Sequence, residues 1–288
     1  MPRRDLASHP QVQDYLKNHK VYVSFSTSPK NLSKLLPMLR TLDLELVEKI
    51  YLALPEKYRN TQEYGPIPPE ILNFTKLEII ARDQKDLGPI MKMLPAIEKV
   101  AALDPYALVI SIDDDTGFPK GMVNELIYYS VLYPNAIISG AGHYAKFFGI
   151  SPEEWPAQGR TTQAPFCGFG EISYCDTVEG WMGIAYKPHL VNTERIKQIA
   201  ALSKACKTSD DLVISYVLAE SGVERIRTVN SYFPHIHRFA FEEHEGALHK
   251  TTIETPGWSP RMSVDGFFSG STNSARYQRC VLDIKPHP

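Results

Sequence analysis

The chain contains little cysteine and no long hydrophobic run. Only four of its 288 residues are cysteines, and no Cys-x-x-Cys pair is present, so a zinc site is not expected. No window approaches the roughly 20 apolar residues that a membrane-spanning helix needs. The charged first residues are not followed by an apolar segment, which predicts that no secretory signal is present. We therefore predict a cytoplasmic protein, or one peripheral to a membrane.

This predicted location determines what is expected of the cysteines. Disulfides are rare in the cytosol, so reduced and partly buried thiols are predicted at Cys167, Cys175, Cys206 and Cys280. A disulfide between Cys167 and Cys175 is the alternative if the protein is exported.

A strong charge of either sign is also missing. The formal net charge is −2 and there is no polybasic run, which argues against a nucleic-acid partner and against recruitment to an acidic membrane. Apolar residues make up 43% and charged residues 22% of the chain, as is typical of a globular protein. No internal repeat is visible.

Strand-like and helix-like patterns alternate through the first half of the chain. Strands are predicted at 21–26, 49–54, 77–81, 107–112 and 136–139, and helices at 31–42, 90–102 and 122–132. The proline-rich stretch 56–69 is predicted to be a loop. Two more helices are expected at 193–202 and 210–221. The alternation predicts a layered α/β domain.

Three consecutive aspartates, Asp113, Asp114 and Asp115, follow the most apolar predicted strand. Ligands of open α/β sheets bind at the carboxyl ends of strands, and adjacent carboxylates repel one another unless a cation is present. Side chains alternate along an extended segment, so Asp113 and Asp115 are predicted to share a Mn²⁺ or Mg²⁺ site. A solvated turn or a helix cap is the ordinary alternative.

Four further motifs occur around this triple. They are Phe-Ser-Thr-Ser-Pro at 25–29, Pro-Glu-Lys-Tyr-Arg at 55–59, Asp-Leu-Gly-Pro-Ile-Met-Lys-Met-Leu-Pro at 86–95 and Ser-Asp-Asp-Leu-Val-Ile-Ser at 209–215. Together they resemble the motifs of GT-A fold glycosyltransferases, and more narrowly those of a bacterial-type group related to glycosyltransferase family 2. The resemblance covers about 21–218. It implies the α/β fold of nucleotide-diphospho-sugar transferases, with a mostly parallel central sheet flanked by helices.

The resemblance also implies a function. A metal-dependent enzyme of this kind moves a sugar from a UDP- or GDP-linked donor to an acceptor hydroxyl, and here the transfer is expected to invert the anomeric configuration. Asp211 takes the position of the catalytic base that removes the acceptor proton. Ser209 and Asp210 could instead simply cap the helix. The acceptor class stays open between a glycan, a lipid-linked sugar and a small molecule.

Donor contacts are expected at the ends of the predicted strands, from Thr27, Ser28, Arg82, Asp83, Gly88, Lys92 and Asp114. Lys92 follows a Gly-Pro turn on a predicted helix, where a cation could neutralise a diphosphate. Glu179, Gly180 and Trp181 belong to a segment that resembles the acceptor-side loop, and core packing is the alternative for Trp181. Among the late histidines at 235, 237, 244 and 249, the resemblance favours His249 as a further metal ligand.

We predict an N-terminal extension over 1–19, a catalytic domain over 20–230 and a C-terminal segment over 231–288 that closes over the site. Within the domain, 20–140 would bind the nucleotide sugar and 141–230 would face the acceptor. Two other functions are considered. A metal-dependent phosphohydrolase also uses aspartate clusters, although Gly117 and the mid-chain position depart from its motif. A non-catalytic nucleotide-sugar-binding protein on the same fold is the other.

Overall fold

The computed structural model describes residues 6–156, 172–228, 237–238 and 272–285. Within these residues the strands form one sheet of eight and a separate pair. The strands are β1 Val21–Ser26, β2 Lys49–Ala53, β3 Leu77–Ile80, β4 Leu108–Ser111, β5 Thr116–Gly117, β6 Ala136–His143, β7 Ser173–Tyr174, β8 Thr177–Tyr186, β9 Glu224–Arg227 and β10 His237–Arg238.

Helices cover both faces of the sheet. The α-helices are α1 Pro10–Asn18, α2 Leu35–Leu39, α3 Pro69–Leu72, α4 Leu94–Ala101, α5 Met122–Leu132, α6 Thr193–Ala200, α7 Lys204–Lys207, α8 Asp210–Glu220 and α9 Thr272–Ile284. Short 3-10 helices lie at Leu6–Ser8, Leu32–Lys34, Pro89–Lys92, Ala145–Phe148 and Pro188–Leu190. In the part of the chain that the structure describes, no helix is both long and apolar enough to span a membrane.

The sheet joins a parallel half to a mixed half. Its strand order is β3-β2-β1-β4-β8-β6-β9-β7. The pairings among β1, β2, β3 and β4 are all parallel, whereas β8 runs antiparallel to both β4 and β6. β6 and β9 are parallel, and β7 is antiparallel to β9. The predicted α/β fold with a mostly parallel central sheet is therefore confirmed.

Alternating side chains of the central strands feed two hydrophobic cores. Val23 and Ile110 belong to one core together with Leu126 of α5. Val109 belongs to the other, together with Val213 of α8. Because β4 is buried on both faces, its sequence reads as an unbroken apolar run. This arrangement leaves the ends of the strands as the places where polar side chains collect.

One predicted loop proves to be a strand. The segment expected to form an acceptor-side loop at 178–183 lies within β8, which is ten residues long. The two glycines that suggested a loop lie against side chains from other parts of the chain. A Cβ atom at Gly180 would meet the end of the Lys92 side chain, and one at Gly183, where φ is +80°, would lie 2.9 Å from Cδ1 of Leu126 in α5. Glycine marks close packing here rather than a turn.

The predicted helix at 90–102 is also divided. A 3-10 turn covers Pro89–Lys92, and α4 begins at Leu94. Pro95 therefore lies in the first turn of α4, where its missing N–H has no helical partner to lose. The predicted loop at 56–69 agrees with the structure up to its last residue, at which α3 begins.

The expectation of reduced thiols is wrong for Cys175, Cys206 and Cys280, whereas Cys167 lies outside the described residues. Cys206 of α7 and Cys280 of α9 form a disulfide with a Cα–Cα distance of 4.7 Å, and Cys175 is disulfide-bonded as well. No local pattern marks Cys206 and Cys280 as a pair, because they are 74 residues apart. The cytoplasmic location stays a prediction, and disulfides are rare in that compartment.

The disulfide fixes the C-terminal helix beside the domain. Gln278 of α9 donates a hydrogen bond from Nε2 to the carbonyl oxygen of Phe148 at 2.7 Å. Arg276 donates from Nη1 to the carbonyl oxygen of Thr208, at 3.3 Å, between α7 and α8. The helix α9 thus packs against α7 and the 3-10 helix Ala145–Phe148.

Candidate functional site

Acidic residues from two distant parts of the sequence meet at one end of the sheet. Asp113 follows β4 by two residues, and Asp210 and Asp211 form the first turn of α8. β8 lies between them, because the backbone N–H of Gly180 donates a hydrogen bond to Oδ1 of Asp211 at 3.1 Å. The carboxyl end of β4, the middle of β8 and the amino end of α8 therefore build one site.

The ammonium group of Lys92 joins the two acidic segments. Its Nζ atom lies 2.9 Å from Oδ1 of Asp113, 2.8 Å from Oδ2 of Asp210 and 3.7 Å from Oδ1 of Asp211. Burial would lower the pKa of Lys92, but the three carboxylates outweigh it and hold the pKa well above its usual value. Lys92 is 6% exposed and carries its charge inside the protein.

Gly180 leaves the space that this lysine fills. A Cβ atom at position 180 would lie 2.3 Å from Nζ and 2.9 Å from Cε of Lys92. Real Cβ atoms do not approach other heavy atoms so closely, so any side chain here would displace the ammonium group. The predicted acceptor-side glycine thus has an observed steric reason to be glycine.

Asp211 has an unusual electrostatic environment. Burial is the largest cause that raises its pKa, and the neighbouring carboxylate of Asp210 raises it further. The charge of Lys92 lowers it. The net result is a pKa well above the ordinary value of an aspartate. A carboxylate with a raised pKa is a stronger proton acceptor when it is ionised.

Asp114 points away from Lys92. It accepts hydrogen bonds from Oγ1 of Thr27 at 2.5 Å and from Nδ2 of Asn31 at 3.3 Å, both in the segment after β1. Burial raises its pKa to about 6. Asp115 lies in the same turn, and its Oδ1 accepts a hydrogen bond from Oγ1 of Thr116 at 3.3 Å. A metal site shared by Asp113 and Asp115 remains a prediction.

Four more of the predicted donor residues follow two strands of the sheet. Thr27 and Ser28 come after β1, and Arg82 and Asp83 come after β3. Tyr64 donates from its hydroxyl to the carbonyl oxygen of Thr27 at 2.9 Å, and the guanidinium group of Arg82 lies 6.0 Å from the Tyr64 ring centre. Oγ of Ser28 accepts from the backbone N–H of Asn31 at 3.3 Å. Asp83 is exposed in the turn after β3.

Gly88 supports the turn that leads to Lys92. Its φ angle is +86°, a left-handed conformation that favours glycine. Its N–H donates to Oδ1 of Asp86 at 2.6 Å, and a Cβ atom here would lie 2.5 Å from the carbonyl oxygen of Lys207. The backbone before Lys92 is therefore held against α7.

Glu179 orients two neighbouring side chains. Its Oε1 pairs with Nδ1 of His143 at 2.7 Å, and its Oε2 accepts from Nε1 of Trp181 at 2.9 Å. Burial would raise the pKa of Glu179. The hydrogen bond with His143 and the charge of His143 outweigh burial, so the pKa of Glu179 is lowered. An ionised carboxylate only accepts hydrogen bonds, so Nδ1 of His143 carries the proton. The His143 ring stacks on Phe147 with 4.2 Å between centroids.

Sequence reasoning missed three members of the site. Asp210 was considered only as a cap, yet it forms one of the two short ion pairs with Lys92, and Ser209 makes no capping hydrogen bond with its side chain. His143 ends the apolar strand β6, and a polar residue at a strand end was the available signal. Asn31 had no distinctive signal.

The C-terminal segment returns to the aspartate triple. β10 pairs antiparallel with β5, and His237 lies opposite Gly117 in the register. His249, predicted as a metal ligand, lies outside the described residues, as do His235 and His244. Among the residues that are described, no group of three or more histidine, cysteine, aspartate or glutamate side chains is arranged to hold a metal ion.

No family model matches the chain. No curated protein matches it in sequence. One solved structure that matches is the crystal structure of GalNAc-T7 with UDP, GalNAc and Mn²⁺, a glycosyltransferase of the GT-A fold, at a TM-score of 0.45 and 10% identity.

That match covers 77% of this chain and 44% of the GalNAc-T7 chain, so the chain spans less than half the length of that protein. It does not point to the narrower group related to glycosyltransferase family 2. At this level of likeness, function has to be argued from the site itself.

Proposed function

We propose that this chain is a metal-dependent glycosyltransferase that moves a sugar from a UDP- or GDP-linked donor to an acceptor hydroxyl. The observation that supports the proposal is the acid cluster around Lys92. Three carboxylates face one ammonium group at the edge of the sheet, which leaves a surplus of negative charge. A divalent cation with a bound diphosphate suits such a surplus.

The donor set fits a hard divalent cation. Asp113 and Asp115 would supply carboxylate oxygens to Mn²⁺ or Mg²⁺, and His249 is a further predicted ligand. Magnesium in particular is often held by one or two carboxylates plus substrate phosphates rather than by a complete protein cage. When bound, the metal would offset the negative charge that develops on the leaving nucleotide diphosphate.

The nucleotide would lie over the parallel half of the sheet. Thr27, Ser28 and Asp114 surround the end of β1, and Asn31 holds Asp114 in place. We propose donor contacts from these residues and from Arg82, Asp83, Gly88 and Lys92. Ligands in open α/β sheets bind at this edge, outside the carboxyl ends of the strands.

Asp211 is the proposed base. It would take the proton of the acceptor hydroxyl as that oxygen attacks the anomeric carbon and the bond to the diphosphate oxygen breaks, which inverts the configuration. Its raised pKa and its partly exposed carboxylate support this role. Gly180 and Trp181 would face the acceptor, and Glu179 would orient His143 and Trp181 beside it.

The proposed domain plan has 20–230 as the catalytic domain, with the nucleotide-sugar half at 20–140 and the acceptor half at 141–230. Residues 1–19 would be an extension, and 231–288 would close over the site. The pairing of β10 with β5 and the hydrogen bond from Arg276 of α9 to Thr208, two residues before α8, support the last point. The proposed acceptor is a hydroxyl of a glycan, of a lipid-linked sugar or of a small molecule.

Thermal unfolding with UDP or GDP, each with and without Mn²⁺, tests the proposal. We expect stabilisation that requires nucleotide and metal together and that is lost in Asp115→Ala. Equal stabilisation without metal would contradict the metal-dependent site. Incubation with nucleotide sugars then separates transfer from the alternatives. Donor binding without turnover would indicate a binding protein, and phosphate release from simple esters would indicate a phosphohydrolase.

A further inference from the structure

Lys92 differs from the other lysines in what surrounds it. It is buried, and its charge is matched by carboxylates from two segments that are far apart in the sequence. Lys49, in contrast, pairs with Glu78 at an exposed position. A buried ion pair that loses one partner leaves an uncompensated charge, which is strongly destabilising. The acid cluster therefore depends on this one ammonium group.

The backbone on both sides keeps the ammonium group in place. Gly180 of β8 leaves a space that no other residue would leave, and Gly88 holds the preceding turn against α7. Lys207 of α7 also donates from Nζ to the carbonyl oxygen of Asp86 at 2.9 Å. These contacts therefore determine both the backbone position of Lys92 and the position of its ammonium group.

We propose that Lys92 is the resident counter-ion of this site, a positioning residue that holds Asp113 and the Asp210–Asp211 pair in one cluster and competes with divalent cations for the carboxylate of Asp113. It keeps the acidic site folded in the absence of metal. A metal ion that binds at Asp113 has to share that carboxylate with an ammonium group 2.9 Å away, and the repulsion lowers its affinity. The inference concerns the charge balance of the site and holds whatever substrate the protein uses.

The test removes the charge and keeps an unbranched side chain that is one atom shorter than lysine. Lys92→Met is expected to lower the melting temperature in metal-free buffer. Mn²⁺ is expected to restore part of this loss, and to raise the melting temperature of the variant more than that of the wild type. Titration with Mn²⁺ alone, without nucleotide, is expected to give an affinity about tenfold or more higher in the variant, since like-charge repulsion is gone.

A matched control is Lys187→Met. Lys187 is also buried, but its Nζ donates to the carbonyl oxygens of Ser130 at 2.7 Å and Pro134 at 3.0 Å rather than to carboxylates. Loss of this lysine disturbs packing to a comparable degree, and it is expected to leave the Mn²⁺ affinity unchanged.

A double variant guards against a simple folding failure. Lys92→Met combined with Asp210→Asn removes one ammonium and one carboxylate together, so it is expected to be more stable than Lys92→Met alone. If Lys92→Met does not fold, the Mn²⁺ titration is made on this double variant against Asp210→Asn, with the same expected rise in affinity.

Two results would overturn the inference. One is an Mn²⁺ affinity that is absent or unchanged when Lys92 is replaced, and the other is a double variant no more stable than Lys92→Met. Neither measurement includes a nucleotide or a sugar. A failure of sugar transfer therefore leaves this inference intact, and nucleotide-dependent stabilisation can be observed even if Lys92 does not compete with metal.

Discussion

Two buried lysines lie along β8, one beside its middle and one directly after its end. Lys92 reaches β8 at Gly180, and Lys187 directly follows the last residue of the strand. Three carboxylates hold the pKa of Lys92 well above its usual value, whereas burial among carbonyl oxygens lowers the pKa of Lys187 to about 8. Carbonyl oxygens satisfy the hydrogen bonds of an ammonium group without matching its charge. The two lysines therefore differ in their partners: Lys92 is paired with opposite charges, whereas Lys187 is hydrogen-bonded to neutral carbonyl oxygens.

The largest expected effect is beside Lys92. Under the proposed function, Asp211→Asn should lower kcat by about 10²–10⁴-fold, because a general base contributes on that order. The asparagine oxygen can still accept from the N–H of Gly180, so the melting temperature should change little. Steady-state kinetics and thermal unfolding of the same preparation check both expectations. A fully active, folded variant would exclude Asp211 as the base.

The next prediction concerns Lys187 and the pH dependence of stability. Between about pH 8 and 10.5 the folded chain has released the Lys187 proton and the unfolded chain still holds it. The unfolded state then binds more protons, so the free energy of unfolding should rise with pH across this window. The rise should be on the order of 3 kcal/mol for a shift of this size.

Lys187→Met should lack this contribution. Urea unfolding of both proteins at pH 7.5 and pH 10 isolates it, because the other titrating groups are common to both chains. Parallel pH curves for the two proteins would show that Lys187 stays charged in the folded state and would remove the contrast with Lys92.

A smaller effect is expected from filling the space beside Lys92. Gly180→Ala places a methyl group where Nζ and Cε of Lys92 now lie, so the free energy of unfolding should fall by about 1–3 kcal/mol. Gly65→Ala is the control, since a Cβ atom at position 65 meets nothing within 4 Å. Equal stability of the two variants would mean that Lys92 can move aside at little cost.

The smallest effect is expected from an exposed lysine. Nζ of Lys49 lies 2.6 Å from Oε2 of Glu78, but both side chains are open to solvent. Exposed ion pairs contribute little to stability, so Lys49→Met should leave the melting temperature almost unchanged. A shift as large as that of Lys92→Met would show that burial is not what distinguishes the two lysines.

Much of the fold could be predicted from local patterns. β1 and α5 have the boundaries that the sequence predicted, because apolar periodicity and flanking turn residues mark them. β8 could not be recognised, because its glycines Gly180 and Gly183 leave room for Lys92 and for Leu126 of α5, which are remote in the sequence. The disulfide between Cys206 and Cys280 could not be predicted either, because the two cysteines are remote in the sequence.

The site was predictable only in part. The position of Asp113 after a buried strand and of Asp211 at a helix start followed from local sequence, and the structure brings both to the same end of the sheet. That Lys92 joins them depends on a turn held by Gly88 and on the absence of a side chain at Gly180. No spacing of these residues in the sequence predicts that Lys92 contacts both acidic segments.

The bond between Cys206 and Cys280 makes a closed covalent ring of the chain between them. Asp210 and Asp211 belong to this ring, as do all of α8 and β9. A single protease cut anywhere within the ring would leave the two products attached to each other. They would separate on a denaturing gel only after a reducing agent had opened the ring.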